Sequence, residues 1–148
     1  MRLDNWNTDL SALIEAKRFE PFAWPTFNCV IWASLAVQAV NGQDIHALYV
    51  GKYSNAKGAL KQLRQIDKVP TPLELFQKHL GELQPISFAR KGDLVFTKDN
   101  QTGMNLSSDT ELFGPAVGVC YGHSSFFVGA EGLVEIETLQ LAQAIWVS

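Results

Sequence analysis

The chain is poor in the residues that most often carry chemistry. It has two cysteines and three histidines in 148 residues, with no Cys-x-x-Cys and no His-x-x-x-His spacing. Two cysteines cannot build a disulfide framework, and no metal-ligand spacing supports zinc. No glycine-rich loop of the phosphate-cradling kind occurs, so neither metal nor organic cofactor is expected. Positive charge is also sparse: 12 Lys and Arg stand against 15 Asp and Glu, a net charge of −3. The basic residues are scattered, and the loose set Lys57, Lys61 and Arg64 has the spacing of a solvated helix face. Phosphate-tracking proteins concentrate cations on one face, so nucleic acid is not an expected partner.

Long apolar runs are missing as well. The longest, Val30 to Val40, contains Ser34 and Gln38 and falls well short of a membrane span. The first residues, MRLDNWNTDL, are polar and acidic, without the charged-then-apolar order of a Sec signal. The expected site of synthesis is therefore a cytoplasm, with any role outside depending on another carrier. No internal repeat or biased tract occurs, and 47% of residues are hydrophobic, enough for one domain over 1–148 with a real core.

What is present divides into a helical half, about 1–81, and a sheet half, about 82–148. Thr8 or Asn5 can cap a helix carrying Leu10, Leu13 and Ile14 on one face, ending near Arg18 before Pro21. Phe22 and Trp24 follow as apolar anchors in a turn. A second helix starts at Cys29 behind Asn28 as N-cap and stops at Asn41-Gly42. It is apolar on nearly every side, which predicts a central position. The segment GQDIHALY, with His46, reads as a loop. A third helix follows Ser54-Asn55 to about Asp67, and a fourth opens on the capping box Thr71-Pro72-x-Glu74 and closes at Gly81.

Beyond residue 82 the period shortens. Gly92-Asp93 turns into a strand over 94–98, AVGVCYG and SSFFVG are strands, AEG turns into LVEIE, and AQAIWV closes the chain. The stretch 99–114 reads as a polar loop. Helices first and an antiparallel sheet second make an α+β fold.

Cys29 is the one residue placed for nucleophilic chemistry. A helix N-terminus points unpaired N–H groups at whatever stands there and eases ionisation of a thiol. A nucleophile still needs a base within hydrogen-bond reach, and a small buried cysteine at a helix start explains the residue without any chemistry. None of the histidines is an obvious base. His79 falls in the last turn of the fourth helix, where an imidazolium suits the dipole, and His46 starts from the far end of the central helix. His123 is a turn residue and the weak candidate among them.

Cys120 shares side-chain parity with Ala116 and Gly118, which would let it face the central helix. A buried small residue is the simple reading of Cys120, with a Cys29–Cys120 bridge left open. Asp93 reads as a turn-forming residue after Gly92. Glu135 and Glu137 alternate with Val134 and Ile136 as on a half-exposed strand. Trp6, Trp24, Trp32 and Trp146 read as packing residues, with Trp24 also able to wall a cleft beside Cys29.

The order of these features resembles a known family. A cysteine on the central helix, then KGDLVF entering a sheet, then AVGVCYG, resembles the NlpC-type papain-like cysteine peptidases and amidases. The segments Phe22-Ala23-Trp24-Pro25-Thr26-Phe27-Asn28-Cys29, Gly42-Gln43-Asp44, Gly51-Lys52-Tyr53 and Ala144-Ile145-Trp146-Val147 are similar to those of small phage and prophage tail-region proteins. The resemblance implies a papain-like fold with the Cys29 helix on an antiparallel sheet. It implies Cys29 at the nucleophile position, with Trp24, Asn28, Tyr53 and Ala116 lining the cleft. It also places Ala116 where the family carries its catalytic histidine, and alanine takes no proton. Asn28 for Asp, Val30 for Ser and Pro25 for Gly are further departures. The implied function is a structural or binding component of a tail tip with a degenerate catalytic site, assembled with other tail proteins into a virion. The other reading is an active cysteine hydrolase cutting peptide bonds of peptidoglycan.

Overall fold

The computed structural model describes residues 1–98 and 114–148. The stretch read as a polar loop therefore lies outside the described residues apart from Gly114. Among the described residues five α-helices come first: α1 (Trp6–Lys17), α2 (Cys29–Asn41), α3 (His46–Tyr49), α4 (Ala56–Gln62) and α5 (Pro72–Leu80). Six strands follow: β1 (Leu83–Pro85), β2 (Leu94–Phe96), β3 (Val117–Cys120), β4 (Ser124–Gly129), β5 (Gly132–Glu137) and β6 (Gln143–Ile145). Their order in the sheet is β1-β6-β2-β3-β4-β5, antiparallel at every pairing. This is the α+β arrangement the sequence predicts. No described helix is long and apolar enough to cross a membrane.

Cap chemistry sets the limits of α2. Asn28 is extended, and its Oδ1 accepts from the N–H groups of Val30 and Ile31 at 3.0 and 3.2 Å. At the other end Gly42 adopts φ 85°, a left-handed turn, and returns its N–H to the Gln38 carbonyl. Between these caps eight of the thirteen side chains are buried, and the one buried hydroxyl, Ser34, satisfies itself on the Val30 carbonyl at 2.6 Å. Trp32 is wholly buried, and its indole N–H donates to the Phe126 carbonyl at 2.9 Å, tying α2 to β4. Burying one such large apolar side chain contributes roughly 2–3 kcal/mol.

Successive side chains of each strand point to opposite faces of the sheet, and buried residues lie on both. Leu94, Phe96, Val117, Val119, Val128 and Ile145 join the α2 side chains in the main core. Val95, Ala116, Cys120, Phe127 and Ala144 form a second cluster on the opposite face, with Leu141. Gly118 belongs to that opposite face. A Cβ there would lie 2.7 Å from ring atoms of Phe127, so only glycine lets the ring lie over β3.

Three local expectations are corrected. GQDIHALY is not a loop throughout, because His46–Tyr49 forms one helical turn whose start is held by Asp44 Oδ1 accepting from Ala47 N–H. The third predicted helix is α-helical only to Gln62 and continues to Asp67 as a π turn. The short strand β1, paired with β6 through Leu83↔Ile145, was not expected at all.

Candidate functional site

The N-terminus of α2 gathers three of the four residues expected to line a cleft. Asn28 is the hinge of the group. Its Nδ2 donates to the Trp24 carbonyl at 2.7 Å, and its Oδ1 accepts from the Tyr53 hydroxyl at 3.1 Å while also capping α2. Gly51 N–H donates to the Pro25 carbonyl, which draws the Gly51-Lys52-Tyr53 segment onto the lead-in to the helix. Phe22 and Trp24 stack edge to face, ring centroids 4.9 Å apart, on the same lead-in.

Cys29 is only part-exposed, and burial is the largest influence on its thiol. Backbone N–H groups of Val117, Val30 and Cys29 itself favour the thiolate, yet burial outweighs them and pushes the pKa up to about 11. Burial raises the Tyr53 hydroxyl pKa too, against the bond to Asn28, and the charge of a Cys29 thiolate adds to the rise. At neutral pH both groups keep their protons. Among the described residues no imidazole, amine or carboxylate acts on the sulfur.

Ala116, the fourth expected lining residue, is turned the other way. The N–H of its neighbour Val117 reaches the Cys29 sulfur, but the Ala116 side chain is packed in the second cluster with Val95 and Phe127. Parity does group Ala116 and Cys120 on one face, but that face is opposite to α2. The suggestion that Cys120 faces the central helix is therefore wrong. Both cysteines are free, and the sheet separates them.

His123 lies exposed in the β3–β4 turn, lining a groove with Ile86, Glu137, Thr138 and Leu139 rather than standing at Cys29. His79 is indeed in the last turn of α5, and its Nε2 lies 2.8 Å from Asp67 Oδ1. Asp67 is buried and also accepts from the Tyr49 hydroxyl, while Lys78 Nζ lies 3.4 Å from its Oδ1. Burial works against this carboxylate, but the bonds from Tyr49, His79 and Lys78 together hold it below the ordinary carboxylate range. Sequence reading missed this array because its members come from three separate elements.

Asp93 does more than close a turn. It does close the turn, accepting from the Arg90 N–H at 2.7 Å. It is also wholly buried, bonded to the Arg2 and Arg90 guanidinium groups and to the Val147 N–H. It fastens both ends of the described chain to the sheet. Glu135 and Glu137 are exposed on β5, and Lys57, Lys61 and Arg64 are exposed on the helical side, as expected. Among the described residues no group of three or more His, Cys, Asp or Glu is placed to hold a metal.

No curated protein and no solved structure matches the chain. One family model does, over residues 1–147, and on that match the chain belongs to the family described as "Domain of unknown function (DUF6950)".

Proposed function

We propose that this chain is a binding or structural protein on a papain-like frame of the NlpC type, one that keeps the nucleophile position and has lost the chemistry. The observation that carries the reading is the state of Cys29: a thiol pushed by burial up to about 11, with only backbone N–H groups opposing that among the described residues. A nucleophilic cysteine needs the opposite, a depressed pKa and an adjacent base. The residue at the family's histidine position, Ala116, has neither a titratable group nor the right face of β3. The likeness of the Phe22–Cys29, Gly42–Asp44, Gly51–Tyr53 and Ala144–Val147 segments to tail-region proteins supports a role in a phage or prophage tail tip, in contact with other tail proteins.

The second reading is a cysteine hydrolase acting on peptidoglycan peptides. The convergence of three backbone N–H groups on the sulfur favours it, because such donors could also hold an oxyanion. The two readings part on the rate of Cys29 alkylation against pH in a Cys120→Ser background. An inert thiol labels slowly at neutral pH, and the rate climbs about tenfold per pH unit toward a pKa near 11. Fast labelling with a plateau below the ordinary value of about 8.5 would overturn the binding reading and send the search to a base.

A further inference from the structure

We propose that the outer edge of β5 receives an extended, basic segment of another protein as an added strand. This goes beyond the reading of Cys29 and holds whether that thiol is inert or reactive.

The register shows which groups are open. Gly129 pairs with Gly132 across the hairpin, and Thr138 N–H donates to the His123 carbonyl at the other end of the ladder. In an antiparallel pair, hydrogen-bonded and non-hydrogen-bonded positions alternate. Leu133, Glu135 and Glu137 therefore direct their backbone groups away from β4. The Leu133 N–H confirms this, since it donates to the Arg18 carbonyl at the end of α1. Beyond that point no described backbone group covers the edge. The N–H and C=O of Glu135 and the N–H of Glu137 meet no backbone partner among the described residues.

The opposite edge of the sheet is unsuited to pairing. It is formed by β1, only three residues long and ending in Pro85, which has no N–H to give.

Charge selects the occupant. The β5 sequence GLVEIE carries no cation, and the Glu135 and Glu137 carboxylates are exposed on one face of the strand, about 7 Å apart. A second copy of this chain, itself of net charge −3, would set glutamate against glutamate at a β5–β5 pairing. A strand with Lys or Arg at alternate positions would instead place cations beside both carboxylates. Apolar contacts are ready at the two ends of the open stretch. Phe19, 82% exposed, follows the Arg18 carbonyl that covers Leu133, and its Cα lies against Gly132. Leu139, 74% exposed, follows the strand and walls a groove of about 660 Å³ that Glu137 and Ile86 also line. Main-chain bonds would supply affinity and the acidic face the choice of partner, as in strand addition generally.

The test uses the full chain, labelled with ¹⁵N, and a capped synthetic peptide of alternating Lys and Val as the probe. The proposal expects binding that shifts the amide resonances of residues 133–137. It expects at least about tenfold weaker binding to the variant carrying Glu135→Lys and Glu137→Lys, with its fold checked by circular dichroism. It expects a similar loss when the same peptide is N-methylated on its pairing edge, which keeps the charge and removes the backbone bonds. Equal affinity for an alternating Glu–Val peptide or for the N-methylated peptide overturns it. So do shifts confined elsewhere, or no binding at about millimolar peptide.

Discussion

The Tyr53 hydroxyl donates to Asn28 Oδ1 at 3.1 Å, the same oxygen that caps α2. One side chain thus ends the apolar lead-in, starts the central helix and fixes the segment that follows it. The two partners should not be equivalent on removal. Tyr53→Phe deletes one donor to an oxygen that keeps two others, and about 1 kcal/mol of stability is expected to be lost. Asn28→Ala removes the cap and leaves the buried Tyr53 hydroxyl without its acceptor, so a loss of about 2–4 kcal/mol is expected. Urea unfolding of the two variants measures both. Equal losses would mean that Asn28 does not act as the hub.

Three acids with raised pKa values predict weakness toward alkali. Burial pushes the Cys29 thiol up to about 11 and raises the Tyr53 hydroxyl; for Tyr49, burial and then the neighbouring Asp67 carboxylate also raise it. The folded chain keeps these protons while the unfolded chain releases them at ordinary values, about 8.5 for a thiol and 10 for a phenol. Stability is therefore full below about pH 8 and falls as pH rises through 9 to 11. In thermal melts across that window, Cys29→Ser should remove the earlier part of the fall and Tyr53→Phe part of the later one. A melting temperature flat from pH 8 to 11 would contradict the burial of these groups.

Local chemistry was legible in the sequence, and chemistry at a distance was not. The ends of α2 and α5 were readable to within a residue because Asn28, Gly42, Thr71 and Gly81 act on atoms no more than four positions away. Parity grouped Ala116 with Cys120 correctly, but a period of 2 does not say which face a helix will cover, and so Cys120 was turned the wrong way. β1 escaped because three residues ending in proline show no alternation. Asp93 looked like a turn residue because the turn is its only local function; Arg2 and Val147 lie 91 and 54 positions away. Asn28 and Tyr53 were expected together only through a resemblance of motifs, and nothing in their own spacing pairs them.

Asp93 joins the termini through a carboxylate with no exposure, held by two guanidinium groups and the backbone N–H groups of Arg90 and Val147. Removing the carboxylate leaves two partly solvated guanidinium groups and two backbone N–H groups without their charged acceptor, at a cost of about 1.5–3 kcal/mol. Asp93→Ala is expected to lose that much. Arg2→Ala should lose less, because Arg90 remains and Arg2 is partly solvated. Chemical denaturation orders the two. A neutral Asp93→Ala would show that the other bonds at the ends, from Arg2 to the Val147 and Lys91 carbonyls and from Leu3 to the Val40 carbonyl, hold them without the carboxylate.

The Asp67 array should set the response to acid. Burial alone would raise the Asp67 pKa, but donation from Tyr49, His79 and Lys78 prevails and lowers it. A carboxylate depressed in the folded state stabilises above its unfolded value of about 4, and the contribution disappears as pH falls through the folded value. Wild-type stability is therefore expected to decline from about pH 5 downward. Tyr49→Phe removes a donor to a charged acceptor, so it should cost about 1.5–3 kcal/mol at pH 7. Once Asp67 is protonated the lost bond is no longer charge-assisted, and the difference from wild type should narrow at low pH. Asp67→Asn removes the titrating group and should flatten the acid limb. Parallel acid limbs for wild type and Asp67→Asn would assign the acid sensitivity to other carboxylates. The same two variants leave Cys29 untouched, so its alkylation profile should be unchanged in both, which separates this buried array from the site at the head of α2.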